Sequence, residues 1–383
     1  MYEKFERITE TDASKSAVEV YSYDSSEIKG NAVAVLFPKN SDDVQKILST
    51  AERNKTVITP RGGGTSLTGA SVPFDSIVVD LSKMNKIEEV NVRDKTAVVQ
   101  AGVTIFQLNK DIEKYNLEFP VKPGSHKSCT IGGAVATNAA GMRAVKYGKM
   151  SDWVKRAEII YPGRGAVWSD EKAISGSEGV LGVITKIELK LAEKKNPKSL
   201  SVLKFEDYES MMEKVNEIKD RVMSAEFMNK KVASMMNLGS KIILTLEYEG
   251  DEGEIKELDE IKELENIRDG VYPTVSSNGY FIIDDPKLTL DKMPAFLNEV
   301  EKIGIPCFGH VAYGVVHPCY DKPELREEVM NLVKKYGGEI SGEHGIGVVK
   351  IGHDEKTELK RLKNRHDKHN IMNRGKIWKT KNV

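Results

Sequence analysis

The chain has 383 residues, 39% apolar and 30% charged, with 57 basic against 58 acidic side chains and a net charge of −1. That balance leaves no basic footprint for nucleic acid, and no apolar run approaches the ~20 residues of a membrane span. The length exceeds one hydrophobic core. The N-terminal MYEKFER lacks a signal peptide's apolar stretch, and three cysteines, Cys129, Cys307 and Cys319, fit a reducing cytoplasm better than a disulfide framework.

In chain order, Ser41-Asp42-Asp43 is expected to cap and open a helix whose buried stripe is Val44, Ile47, Leu48 and Ala51. Strands are expected at 56–59, 77–80 and 96–100. Between the first two lies Pro60-Arg61-Gly62-Gly63-Gly64-Thr65-Ser66. Three glycines remove the side chains that would hold an anion off the backbone amides, so this loop suits a pyrophosphate. A flexible surface turn is the other reading, because the spacing matches neither standard nucleotide fingerprint. Thr104 caps a second helix with Ile105, Leu108, Ile112 and Tyr115 on one face. Two further glycine-rich segments follow: 123–141, with Gly124, Ser125, Thr130, Gly132, Thr137, Asn138 and Gly141, and 176–185, with Glu178, Gly179, Gly182, Val183 and Ile184. Three such loops beside strand-like sequence suggest one extended cofactor.

Residues 183–191 alternate apolar and polar and read as a half-buried strand. The charged stretch 192–198, which contains Pro197, reads as the main linker. Beyond it, strands are expected near 200–205, 241–247, 280–283 and 305–309. Helical stripes carry Tyr208, Met211, Met212, Val215 and Ile218, then Ile255, Leu258, Ile261 and Leu264. His310 and His317 stand seven apart at the end of an apolar strand, and Glu343-His344 lies between glycines. Two imidazoles and a carboxylate make a common three-ligand metal set, although buried hydrogen-bonded histidines would look the same from spacing alone.

These segments resemble the FAD-linked oxidases of the vanillyl-alcohol oxidase superfamily, in the branch of D-lactate dehydrogenase, D-2-hydroxyglutarate dehydrogenase and the flavin-carrying chain of glycolate oxidase. The resemblance rests on PRGGGTSLTGA (60–70), IGGAVATNAAGMRAVKYG (131–148), GSEGVLGVIT (176–185), GHVAYGVVHP (309–318) and SGEHGIG (341–347), and spans about Tyr21 to Trp378. It implies an α+β protein. A PCMH-type FAD-binding domain (1–195) would precede an α/β sandwich cap domain (196–345), and a tail (346–383) would return to the flavin, with Asn373 touching it. It implies non-covalent FAD, since the first loop has Thr65 and Ser66 where some members carry a covalent histidine and His126 has no matching cysteine. It further implies Zn or Mn on His310, His317 and Glu343, with His344 as base and Arg268 as carboxylate anchor. The expected reaction is oxidation of a D-2-hydroxy acid. The cysteines form no iron–sulfur set, so electrons are expected to leave to oxygen, a quinone, a cytochrome or a partner protein such as an iron–sulfur protein. A homodimer is one assembly open to the chain.

Departures from the family pattern stand at Ala312, Tyr313 and Val315 beside the histidines, and at Arg374 in the usual Asn-Pro-Gly-Lys. They suggest altered substrate contacts or weaker metal binding. The stretch 161–174, with Gly163, Gly165 and Trp168, reads as a trimmed loop near the flavin. Two alternatives follow: non-redox chemistry like that of alkyldihydroxyacetonephosphate synthase, and an inert flavin subunit of a larger complex. The intact Glu343-His344 motif favours the hydroxy-acid reading over the first.

Overall fold

The computed structural model describes residues 2–26, 28–195, 198–353 and 356–379. Pro197, in the expected linker, lies outside them. The architecture is α+β. A four-stranded sheet runs in the order Glu10–Asp12, Asn31–Phe37, Phe74–Asp80, Ile58–Arg61. Its last three strands are parallel, and Ile58–Arg61 ends where the first glycine loop begins. A five-stranded antiparallel sheet follows in the order Ile87–Asn91, Thr96–Gln100, Val183–Lys190, Val154–Ile160, Ala166–Ser169. Val183, Ile187 and Leu189 are buried in it, as the alternation requires.

The expected helix is Ser41–Asn54, with Val44, Ile47, Leu48 and Ala51 buried, but its cap is Asn40, whose Oδ1 accepts the Asp43 amide at 2.9 Å. Thr104 caps Ile105–Ile112 as expected, while Tyr115 falls in a following 3-10 turn and is exposed. Within residues 161–174, Ala166–Ser169 form the outer-edge strand, in a hairpin with Val154–Ile160, where Trp168 lies under Arg156, and Lys172–Ile174 form a 3-10 turn.

The second half is built on a six-stranded antiparallel sheet: Lys198–Phe205, Ile242–Glu249, Val222–Met228, Cys307–His310, Val315–Tyr320, Ile282–Ile283. Strands 222–228 and 315–320 were not expected from the sequence. On one face Phe227, Leu244, Leu246 and Tyr320 pack with residues of helices Tyr208–Ile218, Met293–Ile303 and Pro323–Lys335. Tyr208, Met211, Met212, Val215 and Ile218 are all buried there. The other face, with Met228, Ile243, Ile283 and Cys319, is partly covered by Val232, Val271 and Val275 and otherwise opens on a cavity. Helix Leu258–Asp269 buries only Ile261. Leu258 is exposed, and Ile255 instead bridges to Leu200.

The chain end returns to the first core. Ile346, Leu359, Ile371, Met372 and Ile377 are buried with Ile58, Ile77 and Val79. The Ile58 amide donates to the Ile371 carbonyl at 2.8 Å, and the Asn373 amide to the Ile58 carbonyl at 2.7 Å.

Candidate active site

A cavity of about 650 Å³ lies between the glycine loops and the uncovered face of the six-stranded sheet. Its first wall contains Arg61, Gly62, Gly63, Gly64, Thr65 and Ser66. The amides of Gly62 through Ser66 donate to no acceptor among the described residues. Five successive N–H groups without a partner, on a loop that lines a cavity, suit an anion, and this observation fits a pyrophosphate. The loop is close-packed from behind. A Cβ on Gly63 would stand 2.2 Å from the Ser128 carbonyl oxygen, and Gly64 has φ +67°, where a Cβ would meet the Arg61 guanidinium. That guanidinium donates to the Tyr23 carbonyl at 2.7 Å, so Arg61 buttresses the loop. Ser66 Oγ accepts the amides of Thr68 and Ala70 at 3.2 and 3.1 Å.

Gly124, Ser125, Thr130, Gly132, Thr137, Glu178, Gly179, Gly182 and Ile184 also line the cavity. Asn138, Gly141, Val183 and Asn373 stand behind its wall. Asn138 ends helix Ile131–Thr137 and accepts the Ser151 amide; Gly141 packs on the Lys122 carbonyl. Val183 is in the sheet core, and Asn373 Nδ2 ties the carbonyls of Ala70 and Glu178 together at 2.8 and 2.6 Å.

The opposite wall follows from strand register. Glu226 pairs with His310, Met228 with Phe308, and Phe308 with His317. Paired residues share a face, so all five side chains point the same way. His310, His317 and Glu343 each offer a ligand atom, all within 4.8 Å of one another. Glu343 Oε1 is 3.1 Å from His317 Nε2 and 3.6 Å from His310 Nε2. The far nitrogens are engaged elsewhere: His310 Nδ1 lies 2.8 Å from both Glu226 carboxylate oxygens, and His317 Nδ1 lies 3.2 Å from the Asp284 carbonyl. Such partners fix ring orientation and turn both Nε2 atoms toward Glu343, as in metal sites.

The charges are coupled. Burial opposes a proton on His310, but Glu226 and Glu343 outweigh it and hold the imidazole well above its ordinary value. Burial likewise pushes the Glu343 carboxyl up, and the two histidines hold it well below the carboxylate range. His344 stacks on His317 at 5.2 Å between centroids. Its burial wins over the nearby Asp285 and Glu343, so its value is lowered. Its Nδ1 is buried without a hydrogen bond, 3.5 Å from Asp285 Oδ1.

The turn carrying Glu343 and His344 is pinned from both sides. Buried Asp285 accepts the amides of both residues at 2.7 Å, takes Ser341 Oγ at 3.0 Å and pairs with the buried Lys350 ammonium. On the glycine-loop side, Glu178 accepts the amides of Ile346 and Gly347 at 2.8 and 2.6 Å, and the Thr68 carbonyl accepts Val348 N. Glu226, Asp285 and Lys350 were missed from sequence. The adjacent acids Asp284-Asp285 were the one visible hint.

Arg268 lines the cavity with Nε and Nη2 on Asp269 Oδ1 at 3.3 and 3.2 Å. Its Nη1 donors have no acceptor among the described residues. Tyr313 and Val315 do not line the cavity: Lys287 lies over the Tyr313 ring at 3.7 Å, and Val315 is buried under Gly342. The departures from the family pattern at these two positions therefore fall behind the site wall.

Residues 32–169 match the model of an FAD binding domain and residues 249–377 that of the FAD-linked oxidase C-terminal domain. A D-lactate dehydrogenase of Archaeoglobus fulgidus is 31% identical, covering 90% of each chain. A D-2-hydroxyglutarate dehydrogenase of Stutzerimonas stutzeri is 28% identical, over 90% of each. A glycolate oxidase subunit of Bacillus subtilis is 27% identical, over 94% of this chain and 92% of that one. Among solved structures, an alkyldihydroxyacetonephosphate synthase superposes with a TM-score of 0.73 at 17% identity, over 97% of this chain and 86% of that one, a likeness of fold.

Proposed function

This chain belongs to the FAD-linked oxidases, and on that premise we propose that it oxidises a D-2-hydroxy acid, of the D-lactate, glycolate or D-2-hydroxyglutarate type, to the 2-oxo acid. The observation that carries the reading is one shared cavity, with an amide nest on one wall and the His310–His317–Glu343–His344 cluster on the other. The three glycine loops would hold FAD without a covalent link, and the bound flavin would supply the acceptor for the C2 hydride. His310 Nε2, His317 Nε2 and Glu343 would hold a divalent ion, Zn or Mn, whose charge would lower the pKa of the substrate hydroxyl. The donor set fits such an ion, because both Nδ1 atoms are already held by Glu226 and the Asp284 carbonyl.

The chain's own residues do the rest. His344 takes the hydroxyl proton as hydride leaves C2, so the alcohol loses one proton and one hydride, two hydrogens and two electrons in all, and becomes a carbonyl. Arg268 offers its Nη1 donors to the substrate carboxylate. Glu178 and Asp285 keep the Glu343–His344 turn at a fixed distance from the glycine loops. Residues 1–195 and 346–383 hold the cofactor, and 196–345 hold the substrate. A separate quinone, cytochrome or iron–sulfur protein takes up the electrons.

Anaerobic addition of D-lactate, glycolate and D-2-hydroxyglutarate, read by flavin absorbance, tests the reading. Bleaching by at least one of them is expected. Absorbance unchanged by all three would overturn it.

A further inference from the structure

The face of the six-stranded sheet beside the metal-ligand cluster is apolar. Phe308 packs against the His317 ring at 5.3 Å between centroids, Met228 pairs across from Phe308, and Ile283 pairs with Cys319, two residues beyond His317. Met228, Phe308 and Ile283 all line the cavity, and Val271, Tyr272 and Pro273 line it beside them. In this half of the cavity the charged lining residues outside the cluster are Glu226 and the bonded pair Arg268 and Asp269, among the described residues. The other lining basic residues, Arg61, His126 and Lys127, belong to the glycine loops, where Arg61 donates to the Tyr23 carbonyl and His126 Nδ1 lies 3.2 Å from the Pro123 carbonyl.

Resting on the oxidase reading above, we propose that the substrate is a monocarboxylic 2-hydroxy acid with an aliphatic side chain, which lies on Met228, Phe308 and Ile283. The arrangement supplies one carboxylate site, at Arg268 and the His310–His317–Glu343 cluster. A second carboxylate carried on the side chain would reach the apolar wall. It would lose its water there with no cation in exchange, since the Tyr272 hydroxyl already donates to the Phe281 carbonyl at 3.3 Å and the Glu226 carboxylate beside it is an acceptor held on His310 Nδ1. An alkyl group in the same place gains from burial. A dicarboxylic acid is therefore rejected, and glycolate, with no side chain, leaves the wall unused.

Flavin- and metal-loaded protein with an artificial electron acceptor tests this, through kcat/KM for glycolate, D-lactate, D-2-hydroxybutyrate, D-2-hydroxyvalerate and D-2-hydroxyglutarate. We expect a rise of about fourfold per added methylene along the first four, from the usual value of a buried methylene. D-2-hydroxyglutarate should fall about 100-fold or more below D-2-hydroxyvalerate, of equal chain length. A dicarboxylate turned over as well as the valerate, or a flat series from glycolate to valerate, overturns the proposal and leaves the oxidase reading standing. Failure of every acid to reduce the flavin overturns both.

Discussion

Asp285→Asn tests how the Glu343–His344 turn is held. Asp285 is fully buried and takes two amides at 2.7 Å, the Ser341 hydroxyl and the ammonium of Lys350, itself 1% exposed. The asparagine keeps the shape and removes the charge. Lys350 is then left with Asp284 Oδ1 at 3.8 Å, and Asp284 is already engaged by Arg326 at 2.8 Å. Breaking a buried pair from one side costs ~3–5 kcal/mol, and the residual Asp284 contact sets the expectation at the lower end, about 3 kcal/mol. For a lobe of this size that lowers Tm by about 6–12 °C. Lys350→Met added to Asp285→Asn removes the stranded charge and should recover most of the loss. The coupling in the double-mutant cycle should exceed about 2 kcal/mol. The assay is unfolding followed by circular dichroism on the two single variants and the double. A loss under about 1 kcal/mol for Asp285→Asn, or additive single effects, would refute the reasoning.

Glu247 pairs with Arg143 at 2.7 Å and joins the strand 242–249 to the segment after the second glycine loop. Burial pushes its carboxyl up, but Arg143 outweighs this and holds it at about 2 against an ordinary 4.5. The lower folded value means that its stabilisation is present above pH 4.5 and is lost as pH falls toward 2. The loss is about 3 kcal/mol, and Glu247→Gln should flatten the acid limb of a stability–pH curve over that window. Gly63→Val places a side chain 2.2 Å from the Ser128 carbonyl oxygen, so flavin content per chain should drop, and full occupancy would remove this loop from the phosphate site. His344→Ala should slow anaerobic flavin reduction by about 10²-fold or more in stopped-flow, with flavin content unchanged; a parental rate would exclude it as the base.

Local order was legible where short-range physics decides it. The stripe of Ser41–Asn54, the Thr104 cap and the buried side of Tyr208–Ile218 all follow from period and capping chemistry. The cap at Asn40 was displaced by one residue, because Asn and Ser both cap and only the bond to Asp43 N separates them. Strand 222–228 escaped notice because it is buried on both faces and so shows no clean alternation. Strand 315–320 contains His317 and Pro318, which disguise it. The histidines and Glu343 were visible as types, but Glu226 was not. Its role comes from pairing with His310 across 84 positions, which no local pattern encodes. The meaning of Tyr313 and Val315 was likewise a matter of packing, since Lys287 covers the Tyr313 ring, and Val315, on the same face as His310, is covered by Gly342.

The central claim is that substrate oxidation by the flavin requires an ion on His310, His317 and Glu343. Single-turnover flavin reduction by D-lactate, followed anaerobically in as-purified, chelator-treated and Zn- or Mn-restored protein, addresses it most directly. The account predicts bleaching in the first and third samples and a flavin that stays bound and oxidised in the second. Equal bleaching in all three, with no metal found by elemental analysis, would contradict it.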